Sequence, residues 1–215
     1  MSVTGACLAL FLLFHMAMNL VAAFSRTGYD AVCEFLGTNW YALAGTIVLA
    51  YLCVVHIIYA FILTLMNRAA RGNDRYAVSE KPRGVEWASQ NMLVIGIIVL
   101  AGICLHLSQF WYKMMFAELA GIEGNAYSAT AGTAWIEYYF SQPLVAILYI
   151  VWLVALWFHL THGFWSALQT LGWNNLVWLK RVRTISYVYA TVVCACFAIV
   201  VIGFAIGIFP LAEKL

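Results

Sequence analysis

Five histidines are the residues of this chain best suited to chemistry: His15, His56, His106, His159 and His162. Imidazole ligates metals and carries protons near neutral pH, yet all five lie in strongly apolar sequence, as in "ALWFHLTHGFWSALQTLGW" from Ala155 to Trp173. An ionisable side chain at membrane depth is costly enough to be a functional candidate by default. A lone His is as readily a packing residue satisfied by a neighbouring carbonyl, Ser or Thr. Four separate segments that each carry a His weaken that reading.

The elements that position them follow from composition. Hydrophobic residues make up 65% of the 215 and charged residues 9%, far below the roughly 25% charged residues of a soluble domain. Five segments have the length of about 20 residues that a membrane-crossing helix needs. They are about Thr4 to Phe24, Tyr41 to Met66, Met92 to Phe116, Leu144 to Leu168, and Ile185 to Phe209. The first lacks the basic flank and cleavage site of a signal peptide and reads as a span. The expectation is an all-α integral membrane bundle of five transmembrane helices, with residues 1–215 forming a single domain.

Eight of the eleven basic residues fall on one side of this bundle: Arg68, Arg71, Arg75, Lys81 and Arg83 after the second span, and Lys180, Arg181 and Arg183 before the fifth. The other side holds Arg26, Lys113 and Lys214. Cytoplasmic loops retain positive charge, so the N-terminus is expected in the cytoplasm and the C-terminus outside. The net charge of +2 reports topology rather than a nucleic-acid partner. Of the six cysteines, Cys7, Cys53, Cys104, Cys194 and Cys196 sit in spans as small buried hydrophobes and Cys33 in an outer loop, without a disulfide framework or a CxxC motif.

Depth sorts the histidines. At a rise of 1.5 Å per residue, His56 and His159 lie about 14 Å from the inner ends of their helices, His106 lies about 22 Å from its own, and His15 sits past the middle. Two levels result, His56 with His159 on the inner side and His15 with His106 on the outer. Two His from different helices at one depth suit a porphyrin iron, which takes an imidazole on each face. Gly102 and Gly163, one turn from His106 and His159, leave side-chain-free space for a flat ring, or serve close helix packing. Zinc prefers four converging ligands, and a proton relay wants a mid-membrane acid; neither pattern is present in the spans. Two stacked b-type hemes, their irons held by His15 with His106 and by His56 with His159, are the leading reading.

The stretch "FHLTHGFWSALQTLGW" resembles the fourth-helix motif of the single-chain, five-helix, diheme cytochrome b subunit of succinate:quinone oxidoreductases, the family of succinate dehydrogenases and fumarate reductases. The resemblance extends to "SVTGACLALFLLFHM", "HIIYAFILTLMNR" and "ASQNMLVIGIIVLAGICLHL", and so spans most of the chain. It implies that His159, four residues before the Gly of the motif, is an axial ligand, and that the second helix pairs with the fourth and the first with the third. His162 stands where that family reserves no histidine. A bond to a heme propionate, a place in a quinone pocket and a packing role all remain open for it.

The resemblance further implies a bacterial inner-membrane anchor that exchanges electrons with menaquinone, with two heme b as its cofactors. Its partners are a flavoprotein subunit carrying FAD, an iron–sulfur subunit with its clusters, membrane lipid and quinone. The basic loops "NRAARGNDRYAVSEKPRGVE" and "WLKRVR" are the available docking surface, and the chain itself has no dicarboxylate site. The family's quinol-oxidising members place an acid after the first helix, for which Glu34 is the nearest match among Asp30, Glu34, Glu118, Glu123 and Glu137. Some diheme fumarate reductases carry a glutamate two residues before the fourth-helix ligand; here that residue is Trp157. Overall resemblance leans toward fumarate reduction. A diheme cytochrome b of another respiratory dehydrogenase, of hydrogenase or nitrate reductase type, and a non-heme transporter are the alternatives.

Overall fold

The computed structural model describes residues 1–71, 86–173 and 175–209. Arg75, Lys81, Arg83 and Lys214 lie outside the described residues. In lipid the backbone must satisfy its own hydrogen bonds, and the described chain does so by helix, with no strand. The helices are α1 (Ser2–Leu20), α2 (Arg26–Thr38), α3 (Trp40–Arg71), α4 (Trp87–Gln90), α5 (Met92–His106), α6 (Ala117–Ala120), α7 (Gly132–Phe140), α8 (Pro143–Thr170) and α9 (Leu176–Ala205). A 3₁₀ turn, Val21–Ala23, extends α1, and a π-helical segment, Leu107–Phe116, joins α5 to α6. Five helical stretches are long and apolar enough to cross a membrane, 2–23, 40–70, 92–120, 143–170 and 177–205. The protein is thus an all-α, multi-pass membrane bundle.

Three local features depart from the spans expected of the sequence. The fifth helix starts at Leu176 rather than near Ile185, because the Asn175 side chain accepts hydrogen bonds from the N–H groups of Val177 and Trp178 and so caps it. Lys180, Arg181 and Arg183 therefore project from α9 itself, where long cationic side chains reach water at a membrane edge. The same helix ends at Ala205, short of Phe209, and the chain turns at Gly207, whose φ of 68° suits glycine. Within the third span the hydrogen-bonding pattern changes directly after His106, each N–H reaching back five residues instead of four.

Two short helices, α2 and α7, form a cap at the end opposite the basic residues. Ser25 caps α2 by accepting from the Gly28 N–H at 3.0 Å. Asp30 Oδ1 accepts from the Thr133 N–H at 2.7 Å, and Arg26 pairs with Glu137, so α2 holds α7 by charge at two points. Gly132 allows the approach, since a Cβ there would lie 2.2 Å from Cys33 Sγ. Burial pushes the Cys33 thiol up to about 11 and raises the Tyr29 hydroxyl as well.

The core sits between α8 and α9. The fully buried Ser186 hydroxyl donates to the Thr161 carbonyl at 2.9 Å and the Leu160 carbonyl at 3.2 Å. Tyr189 of α9 donates to the Ala9 carbonyl and fastens α1, while α5 lies along α8. Helix α3 is the exception: it rests on α1 and α2, and no residue of its apolar centre is buried, against 39% in α8 and α9.

Candidate functional site: two facing histidine pairs

His56 on α3 faces His159 on α8 with ring centroids 6.3 Å apart and planes at 67°. His15 on α1 faces His106 at the end of α5 at 5.8 Å and 82°. Two imidazole nitrogens about 2 Å from one first-row metal, a usual bond length, set ring centroids roughly 6 Å apart. Both pairs stand at that separation.

The helices that carry each pair do not pack on one another. Neither α1 with α5 nor α3 with α8 is among the closely packed pairs of the bundle, whereas helices in direct contact run about 8–10 Å apart. Each pair of imidazoles therefore meets across two helices whose backbones are not in extensive contact. Both rings are enclosed: Nδ1 of His106 and Nδ1 of His159 are buried without a hydrogen-bond partner, which is costly for a polar atom.

The two sites differ in their surroundings. The His15–His106 pair stands among aromatic rings. Phe11 stacks on His15 at 5.4 Å, Phe197 of α9 lies 5.7 Å away, and His106 has Phe110 at 5.3 Å and Trp152 at 5.8 Å. Such rings exclude water. On α1, Asn19 gives its amide to the His15 carbonyl at 2.8 Å and receives the Tyr29 hydroxyl at 3.0 Å, which joins this site to the α2 cap. The His56–His159 pair lies nearer the basic end, where Thr4 Oγ1 is 3.1 Å from His56 Nδ1.

The glycines behave differently from one another. The space beside Gly102, expected to be free for a flat ring, is filled by Trp152: a Cβ there would lie 2.1 Å from the indole, which donates to the Val99 carbonyl at 3.0 Å. Gly102 therefore serves helix packing. Gly163 has open space, with no atom within 4 Å of where a Cβ would be.

His162 forms its own cluster at the basic end. Its Nδ1 lies 3.2 Å from Glu86 Oε2, the Trp165 indole N–H donates to the same oxygen at 3.3 Å, and Arg183 covers the Trp165 ring at 4.4 Å. His162 thus has a carboxylate partner within the protein. Glu86 is a residue that sequence reasoning did not single out. Its position 76 residues before His162 gives no periodic signal, and only its place just ahead of a span marked it.

At the opposite end the acids divide by partner. Asp30 and Glu137 are committed to Thr133 and Arg26. Glu118, on α6 at the end of the third span, and Glu123, just after it, are exposed. Glu34 is exposed on α2 beside Phe35, which is 65% exposed, and its carboxylate makes no hydrogen bond among the described residues. Trp157 donates to Thr191 Oγ1 at 3.0 Å and ties α8 to α9. Among the described residues no three of His, Cys, Asp or Glu converge as an all-protein metal site would need. The arrangement offers pairs, one imidazole from each side. No family model, curated protein or solved structure matches the chain.

Proposed function

We propose that this chain is the diheme cytochrome b membrane anchor of a succinate:quinone oxidoreductase, set in a bacterial inner membrane and more readily a fumarate reductase than a succinate dehydrogenase. The observation that carries the reading is the two pairs of facing histidines, each pair drawn from two helices that are not in extensive backbone contact. Residues on four different spans supply one imidazole each, which is what two bis-imidazole hemes ask of a protein. When bound, the two hemes would supply one-electron transfer.

The remaining work belongs to the chain's own side chains. His56 and His159 hold the group nearer the basic end, and His15 and His106 the group nearer the opposite end. Phe11, Phe110, Phe197 and Trp152 keep water from the second pair. Glu34, exposed at that end, accepts at its carboxylate one of the two protons that menaquinol releases on oxidation, and the other passes to water there. The basic end, with Lys180, Arg181 and Arg183 on α9, docks the iron–sulfur subunit, which leads to the flavoprotein carrying FAD.

Substitution and copurification test the reading together. Replacing His56 or His159 by Ala removes one optical component of the purified protein, and replacing His15 or His106 removes the other. A flavin-containing and an iron–sulfur subunit copurify with the native chain. Retention of both components in all four variants overturns the ligand set. Copurification of a hydrogenase or nitrate reductase subunit moves the protein to another respiratory dehydrogenase.

A further inference from the structure

Only one of the four paired histidines has a side-chain partner whose proton can be placed. Thr4 Oγ1 carries a single hydrogen and stands 2.8 Å from the Met1 carbonyl oxygen, which can only accept. The hydroxyl donates there, so toward His56 Nδ1 at 3.1 Å it has lone pairs alone to offer. Nδ1 of His56 must then carry the ring proton and donate it to Thr4, which leaves Nε2 with its lone pair free. A hydrogen bond on one ring nitrogen fixes which nitrogen remains to bind a metal, holds the ring plane, and raises the ligand's basicity. The neighbouring Gly5 belongs to the same arrangement, since a Cβ there would stand 3.3 Å from His56 Cε1.

The other three rings lack this feature. His106 and His159 leave Nδ1 buried without a partner, and His15 meets only the Asn19 amide at 3.4 Å from each ring nitrogen, too distant and too divided to fix a tautomer.

We propose that Thr4 is a positioning residue that holds His56 as the Nδ1–H tautomer and makes it the most electron-donating of the four ligands. This rests on the heme reading above. Greater donation from a ligand favours the oxidised iron, so Thr4 lowers the reduction potential of the His56–His159 heme relative to that site without the hydroxyl. The hydrogen bond thereby sets one heme apart from the other.

The test is an optical redox titration of the purified full chain with its native partners, on Thr4→Val and Thr4→Ser beside the native protein. Thr4→Val keeps the shape and removes the acceptor. The potential of one heme, the component lost in His159→Ala, rises, the other stays fixed, and that heme is lost more readily to a competing apo-heme-binding protein, by about tenfold. Thr4→Ser restores the native potential. Unchanged potentials in Thr4→Val, or equal shifts of both hemes, overturn the role of Thr4 while leaving the two-heme reading intact. Absence of heme from the native complex overturns both, and so separates the two failures.

Discussion

Gly102 and Gly163 occupy equivalent places one turn from a paired histidine, and the structure separates them sharply. In Gly102→Ala the new Cβ would meet the Trp152 indole at 2.1 Å, so the ring must move and give up its 3.0 Å bond to the Val99 carbonyl. Overpacking costs about 1–3 kcal/mol and the lost hydrogen bond about 0.5–1.5 kcal/mol. Better helix propensity returns about 1 kcal/mol. The net is a loss centred near 2 kcal/mol. Because Trp152 also lies against His106, the disturbance reaches the His15–His106 site. Gly163→Ala has open space for its methyl and gains about 1 kcal/mol of propensity. Thermal unfolding in detergent, followed together with the visible spectrum, reads both effects. A neutral Gly102→Ala beside a destabilising Gly163→Ala would refute the reasoning.

Three further outcomes are expected. On the proposed reading, Glu34→Gln leaves both hemes and fumarate reduction by an artificial donor intact but sharply lowers turnover with a menaquinol analogue; undiminished quinol activity removes Glu34 from the proposal. Glu137→Gln strips Arg26 of its carboxylate partner, and because Arg26 already buries Nε and Nη1 without partners, the variant loses about 1–2 kcal/mol in a thermal melt; an unchanged melting temperature contradicts the pairing. The Cys33 thiol, pushed up to about 11 by burial, holds only about one thiolate in a thousand at pH 8. Its maleimide labelling, followed by mass spectrometry, is therefore slow at pH 8 and climbs steadily toward pH 11, whereas fast labelling at pH 7 contradicts the burial.

The five spans were legible because lipid demands long apolar helices, and the levels of the histidines followed from helix rise alone. His56 and His159, and His15 and His106, do lie side by side. What escaped the sequence depends on polar groups that hydropathy averages away. Helix α2 mixes Arg26, Asp30 and Glu34 with Tyr29, Cys33 and Phe35, so it carries no span signal, yet it anchors the cap through Glu137 and Thr133. The early start of α9 hinges on a single Asn175 cap. The use of Gly102 was hidden for a different reason: whether a glycine accommodates a ring of the protein or a ring of a ligand depends on Trp152, a residue 50 positions away on another helix.

Heme stoichiometry tests the central claim most directly. The native chain is purified with its partners, a pyridine extract is measured for protoheme, and the result is divided by the amount of this chain from quantitative amino-acid analysis. A reduced-minus-oxidised spectrum on the same sample reports the ligation. Two heme b per chain, both low-spin with bis-histidine bands, is the predicted result; a value near zero would contradict the account.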